Sequence, residues 1–244
     1  MADEETKPRR PWWRTALRWT GELLLYFVIA VVVVSLIRAF LIQNYIVPSG
    51  SMENTLQIDD MILAWKPGGP ERGDIVVFRD DLDWLAPVNE ETPAWKEFLA
   101  WIRLIPPTDE QYLVKRVIGL EGDHITCCDA SGRITVNGVA LDEPYLIYYN
   151  AEAAQRPFDV VVPKGRMFMM GDHRDGSKDS RAMLCSTGSL SIAAPSIDSV
   201  QGSVFAIVRP LSRFQTVSTS QAFSDVPDPT GSPPTVEAAQ WSCP

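Results

Sequence analysis

The sequence predicts a mainly β protein, built as antiparallel sheets or a partly closed barrel and preceded by one membrane-spanning helix. Three observations carry this. Residues 23–42 read LLLYFVIAVVVVSLIRAFLI, a 20-residue apolar run interrupted by charge only at Arg38. From residue 44 onward, short runs rich in β-branched and aromatic residues recur between Gly, Pro and Asp clusters. In RITVNGVAL (133–141), Asn137-Gly138 stands between two apolar stretches, a strong hairpin signal.

Taken in order, residues 1–21 hold Lys7, Arg9, Arg10, Arg14 and Arg18 against Asp3, Glu4 and Glu5. The excess of cations predicts a cytoplasmic segment. Residues 22–42 are the predicted span. At about 1.5 Å per residue, 20 residues cross the roughly 30 Å hydrocarbon core. Arg38 lies near the far end, where it can snorkel to the headgroups. Trp12, Trp13 and Trp19 suit the cytoplasmic interface. A cleaved signal peptide has a shorter apolar region and a small-x-small site after it. Here QNYIVPSGS follows, without Ala-x-Ala, so a retained anchor is favoured. This predicts a single-pass protein of the cell membrane, with the lipid bilayer as a partner and residues 43 onward extracytoplasmic.

Residues 43–215 form the predicted β domain. NYIVP (44–48), MILAWK (61–66), DIVVF (74–78) and YLVKRVIG (112–119) read as strands, and FDVVVP, RMFMMG and SVFAIVRP continue the pattern. Residues 80–111 break it. Trp95, Phe98, Leu99, Trp101, Ile102 and Ile105 have helix-like spacing, which predicts an amphipathic helix packed on the sheet. An interfacial helix is the second reading, since Trp and Phe favour membrane interfaces. Residues 216–244 are Ser/Thr/Pro-rich without periodicity and are predicted to be a disordered tail.

Composition narrows the function. The chain has 244 residues, 22 Lys+Arg against 31 Asp+Glu, and a net charge of −9. Residues 43–244 keep 16 basic and 27 acidic residues, a net −11. That balance excludes a nucleic-acid binder, which carries a basic footprint. Two histidines and four cysteines without CxxC spacing predict no metal site, and nothing in the sequence calls for a cofactor.

Three patches could carry chemistry. PSGSMENTL (48–56) directly follows the anchor. Gly50, between Ser49 and Ser51, permits the tight backbone that a nucleophile beside an anion site needs. A serine hydroxyl is a poor nucleophile at neutral pH without a base, and such a stretch taken alone reads as a solvated turn. In YLVKRVIGLEGD (112–123), a strand puts Leu113, Lys115 and Val117 on one face and Val114, Arg116 and Ile118 on the other. Lys115 then lies between two apolar neighbours, although a lysine on a strand taken alone reads as exposed. GDHRDGSKDSR (171–181) is dense in charge and turn formers and alone reads as a solvated loop. It lacks the acidic spacing of a calcium loop.

Together, and in this order after an anchor, these patches resemble the type I signal peptidases, membrane-anchored serine proteases with a Ser-Lys dyad. PSGSMENTL resembles the family's nucleophile box, ERGDIVVF (71–78) its second box, YLVKRVIGLEGD its lysine box and GDHRDGSKDSR its last box. The resemblance covers about residues 20–210. His173 and Gly176 depart from it, standing where the family usually has Asn. So do Asn54 and Glu121, where Pro is frequent.

The resemblance implies roles. Ser51 is the expected nucleophile and Lys115 the general base. The Ser51 N–H and the Ser49 hydroxyl are the expected oxyanion donors. Ser177 is expected to orient the lysine ammonium, with Asp179 and Arg181 as a supporting ion pair and Asp172 and Arg116 behind them. Val47, Met52, Leu56 and Val114 are expected to line shallow pockets for a preprotein segment with small-x-small side chains, bound in extended form. A neutral lysine near pH 7 needs a fall of about 3 pH units from the ordinary value near 10.4, so no carboxylate is expected to touch Lys115. The cysteines leave alternatives open: a bridge from Cys127 or Cys128 to Cys185, or buried thiols, with three full pairings permitted. Two other functions fit parts of the pattern. A self-cleaving Ser-Lys regulator of the same superfamily would be soluble. A tethered, non-catalytic binding domain would need no buried lysine.

Overall fold

The computed structural model describes residues 12–86, 93–102, 104–105, 111–150 and 156–243. The predicted cytoplasmic segment therefore lies mostly outside the described residues, as does part of 80–111. Helix α1 spans Trp12–Phe40, starting before and stopping short of the predicted 22–42. Within it, the 22 residues Trp19–Phe40 are long and apolar enough to cross a membrane, and their side chains are largely uncovered. The helix stops because the chain turns directly into a strand: Leu41 closes the last turn onto Ile37, and β1 (Ile42–Ile46) begins.

The β region is two antiparallel sheets. The first takes β1, β2 (Met61–Trp65), β3 (Ile75–Arg79), β4 (Tyr112–Gly119), β9 (Phe168–Met170), β10 (Val200–Arg209) and β11 (Gln215–Thr216). Its order is β1-β2-β10-β3-β4-β9, with β11 added on β10. β1 and β9 are its two ends, so among the described residues the sheet does not close into a barrel. The second sheet runs β12 (Trp241–Ser242), β8 (Phe158–Val161), β5 (His124–Cys127), β6 (Thr135–Val136) and β7 (Val139–Ala140). The β6–β7 turn is Asn137-Gly138, both with positive φ (51° and 83°), as a tight hairpin requires.

Two apolar clusters hold the sheets. The larger gathers Val76, Phe78, Leu113 and Val117 from the first sheet with Ile125, Val136, Phe158 and Val160 from the second. The smaller lies on the opposite face of the first sheet and holds Tyr45, Ile62, Val77, Val114 and Ile207. Alternation along β4 explains the split: Leu113 and Val117 face one cluster, Val114 the other. Helices α3 (Ser180–Thr187) and α4 (Leu190–Ala193) cover the β9 end.

Three expectations change. Helix α2 (Ala94–Trp101) exists but does not bury its aromatic face: Trp95, Phe98 and Trp101 are all exposed. The amphipathic pattern says that a face is apolar, not what covers it. The tail is ordered rather than loose. Thr219 Oγ1 donates to Asp74 at 2.6 Å, Phe223 and Val226 are buried, and Lys164 N donates to the Pro234 carbonyl at 2.8 Å. Individual side-chain and backbone bonds, not periodicity, fix this segment. Finally, Cys185 pairs with Cys243, while Cys127 pairs with its neighbour Cys128. The tail carries Cys243 back to α3, where it takes the Cys185 thiol.

The Cys185–Cys243 bridge joins positions 58 residues apart. Loops of that length are stabilised by about 2–4 kcal/mol when closed. Cys243→Ser is therefore expected to lower stability by about that much under non-reducing conditions, read from denaturant unfolding. Reductant should erase the difference. Neither cysteine lines the cleft that holds Ser51 and Lys115, so the chemistry expected of that pair should persist.

Candidate active site

Ser51 sits in the single 3-10 turn Gly50–Met52 that follows β1. The turn is anchored from beneath by Val47 N donating to Asp60 O at 2.9 Å and Leu56 N donating to Met52 O at 2.8 Å. Lys115 projects from β4, between β3 and β9, with Val76 its partner across the β3 pairing. The two side chains meet: Lys115 Nζ and Ser51 Oγ are hydrogen-bonded to one another. Both are buried, Ser51 8% exposed and Lys115 only 2%. They open onto a cleft of about 430 Å³ walled by Ile58, Trp84, Leu85 and Leu113, with Glu53, His173 and Lys178 at its polar side.

The electrostatics follow from the packing. Burial between Leu113 and Val117 lowers the Lys115 pKa from 10.5 to about 8. Asp179 and Asp172 oppose this from a distance by stabilising the ammonium. No ion pair among the described residues includes Lys115. Asp172 is instead occupied by Arg116, with Nε–Oδ1 at 2.8 Å and Nη2–Oδ2 at 2.7 Å, and by Thr55 Oγ1 at 2.5 Å. Burial works most strongly against the Arg116 charge, but the hydrogen bonding and charge of Asp172, with Tyr145 and Glu143 nearby, together outweigh it, so its pKa is raised. The Arg116 guanidinium also lies 3.8 Å from the Tyr145 ring centre. Because Thr55 belongs to the serine segment and Arg116 to the lysine strand, Asp172 ties the two together.

Asp179 caps α3 by accepting from Ala182 N at 3.2 Å and accepts from Gly171 N at 3.2 Å. Arg181 pairs with it at 3.5 Å. Gly171 has to be glycine: an added Cβ would collide with the Ser51 carbonyl and with Ser177 Oγ. Ser177 is thus brought against the serine turn, but its Oγ is buried and makes no hydrogen bond, so the expected contact with the lysine amine is not made. The amine is already engaged by Ser51. Ser49 lies exposed at the cleft, its hydroxyl unused as a cap.

The expected pocket residues are placed differently. Val47, Met52, Leu56 and Val114 all belong to the smaller core cluster and are almost fully buried. Val114 faces away from Lys115 by strand alternation. The cleft wall comes instead from Leu113, which strand alternation put beside Lys115, and from Ile58, Trp84 and Leu85, which the sequence reading did not single out. Trp84 is buried, donates through Nε1 to Ile192 O at 2.7 Å, and its carbonyl accepts from Lys178 Nζ. It lies at the start of 80–111, the segment that breaks the strand pattern. An isolated Trp beside Asp80, whose carboxylate accepts from Trp84 N at 2.9 Å, was the available signal. Arg174 and Glu143 form a further buried ion pair at 2.5 Å behind the last charged patch.

Comparisons with known proteins place the chain in a family. The family described as signal peptidase, peptidase S26, matches residues 20–208. A signal peptidase I of Mycobacterium tuberculosis H37Rv is 36% identical over 241 residues, covering 87% of this chain and 79% of its own. A signal peptidase I S of Bacillus subtilis 168 is 31% identical over 180 residues, covering 69% and 79%. A solved signal peptidase I from Enterococcus faecalis V583 is 25% identical, covers 56% of this chain and 97% of its own, and superposes with a TM-score of 0.35. The chain belongs to the signal peptidase family, the S26 serine peptidases.

Proposed function

We propose that the chain is a membrane-anchored endopeptidase that removes signal peptides from exported preproteins, with Ser51 as nucleophile and Lys115 as general base. The observation that carries this is the buried lysine amine hydrogen-bonded to a buried serine hydroxyl, with no carboxylate paired to it among the described residues. With the amine neutral, the Ser51 hydroxyl donates to Nζ, and attack on the scissile carbonyl passes its proton to Lys115. The resulting ammonium protonates the leaving amine. The neutral amine then activates water against the acyl-enzyme. The Ser51 N–H and the exposed Ser49 hydroxyl are placed in this reading as oxyanion donors, each worth about 10²–10³ in rate.

Cleavage after small-x-small sites is part of the same proposal. Val47, Met52, Leu56 and Val114 act from beneath, setting the floor of the serine segment, while Trp84 and Leu113 narrow the cleft. A closely walled cleft rejects large side chains by overlap. The proposed topology has the N-terminus in the cytoplasm and the β region outside. Arg38 supports the seating at the bilayer: it donates to the Leu104 carbonyl, just past α2, whose Trp95, Phe98 and Trp101 are exposed.

The test is cleavage of a purified preprotein by the full chain in detergent. The expected result is one cut after a small-x-small site, lost in Ser51→Ala. Undiminished cleavage by that variant would overturn the assignment.

A further inference from the structure

His173 and Gly176, the two departures from the family pattern in the last charged patch, are in contact. A Cβ on Gly176 would lie 2.6 Å from His173 Cε1, 2.7 Å from Nδ1 and 2.8 Å from Nε2. No side chain fits there while the ring is in place. The ring in turn reaches the serine turn. Nδ1 is 3.1 Å from the Gly50 carbonyl, which only accepts, so Nδ1 carries the proton and donates. The His173 backbone N–H donates to the Ser51 carbonyl at 3.2 Å. One residue therefore holds two successive carbonyls of the turn that carries the proposed nucleophile.

Two carboxylates and an aromatic ring surround the imidazole. Asp175 Oδ1 is buried, makes no hydrogen bond, and lies 3.3 Å from Nε2. The other Asp175 oxygen accepts from Tyr149 N at 2.9 Å and Asn150 N at 2.6 Å, which fixes the carboxylate. Glu53 Oε2 is 3.3 Å from Nδ1, and the Tyr149 ring meets the imidazole edge-on with centres 5.3 Å apart.

We propose that the His173 ring, seated in the space that Gly176 leaves open, is a positioning residue that keeps the Gly50–Ser51 turn in register with Lys115. It rests on the assignment of Ser51 and Lys115 as the reacting pair. It acts through the turn and exchanges no proton with substrate. A displacement of a reacting group by about 1 Å changes rates by about 10²-fold, so a partial loosening of the turn is expected to act on kcat rather than on KM.

The experiment is a cycle of Gly176→Ala in two backgrounds, the natural His173 and His173→Asn, with His173→Ala beside it. Cleavage kinetics are measured on the full chain in detergent, with melting temperatures as a control for folding. His173→Ala should lower kcat on the order of tenfold with KM within about threefold. His173→Asn should recover most of that loss, because its amide N–H can donate to Gly50. Gly176→Ala should lower kcat on the order of tenfold beside the natural His173 and by less than about twofold in the His173→Asn background, a non-additivity expected only of residues in contact. Additive effects, or a His173→Ala variant within about twofold of the natural chain, would overturn the proposal. If His173→Ala fails to fold, the Gly176→Ala cycle decides alone. Ser51→Ala separates the two readings: if it cleaves, the catalytic assignment fails, and if it is dead while His173 is indifferent, only the positioning role fails.

Discussion

Lys115→Met is expected to abolish the proposed preprotein cleavage and to make the protein more stable at neutral pH. Loss of a positioned general base lowers rate by about 10²–10⁴-fold, and in the proposed mechanism the same group serves both acylation and deacylation, so the upper end or beyond is expected. The natural enzyme should show an acid limb set by the amine. With the Lys115 pKa lowered to about 8 by burial, the neutral form is scarce below that value, and kcat/KM should rise about tenfold per pH unit until it levels off above it. Any residual cleavage by Lys115→Met should lack that limb. A limb retained in the variant would remove Lys115 from the role of base.

The stability half of the result has the opposite sign and comes from the same burial. A lysine whose pKa falls from 10.5 to about 8 on folding disfavours the folded state at neutral pH by about 3 kcal/mol. Between those two values the unfolded chain binds more protons than the folded one, so stability rises with pH across the window. It is lost again as pH falls through the folded pKa. Methionine fills similar space without charge, so the variant should gain about 2 kcal/mol at pH 7, after about 1 kcal/mol for leaving the Ser51 hydroxyl without its partner. Its stability should be flat between pH 8 and 10. Urea unfolding at both pH values checks this.

The parts of the site legible in the sequence were those written in short contiguous runs. Strand alternation around Lys115 put Leu113 and Val117 beside it, and the fold keeps that face apolar. Asn137-Gly138 specified its own turn. What sequence could not give was set by contacts across the chain. Resemblance gave Val47, Met52, Leu56 and Val114 as apolar neighbours of the site, but not that the smaller cluster would bury them. Tail residues with no periodicity are fixed by Asp74, by the Gly73 carbonyl and by the Cys185 bridge, each remote in sequence. Trp84 enters the cleft because Phe78 and the α4 carbonyl of Ile192 hold it, and neither is predictable from its own surroundings in the sequence.

Asp172→Asn is expected to have the largest effect on stability of any substitution near the site. Asp172 is fully buried and Arg116 is 3% exposed, so the pair lies out of reach of solvent. Removing one charge leaves the guanidinium with the Gly73 carbonyl at 2.7 Å and the Tyr145 face, neither of which neutralises it. Breaking a buried pair in this way costs about 3–5 kcal/mol. The double variant Arg116→Met/Asp172→Asn should recover much of that loss, because it removes the stranded charge as well. Activity tells a different part of the story. Asp172 raises the Lys115 pKa against the larger effect of burial, so its neutralisation should move the acid limb of the pH profile to lower pH, below about 8. At the same time the Thr55 hydroxyl loses its 2.5 Å bond to the carboxylate, and the serine segment loses its tie to the lysine strand. The expected profile is therefore lower at its plateau yet shifted toward acid. A loss of plateau with the limb unmoved would mean that Asp172 acts on geometry alone.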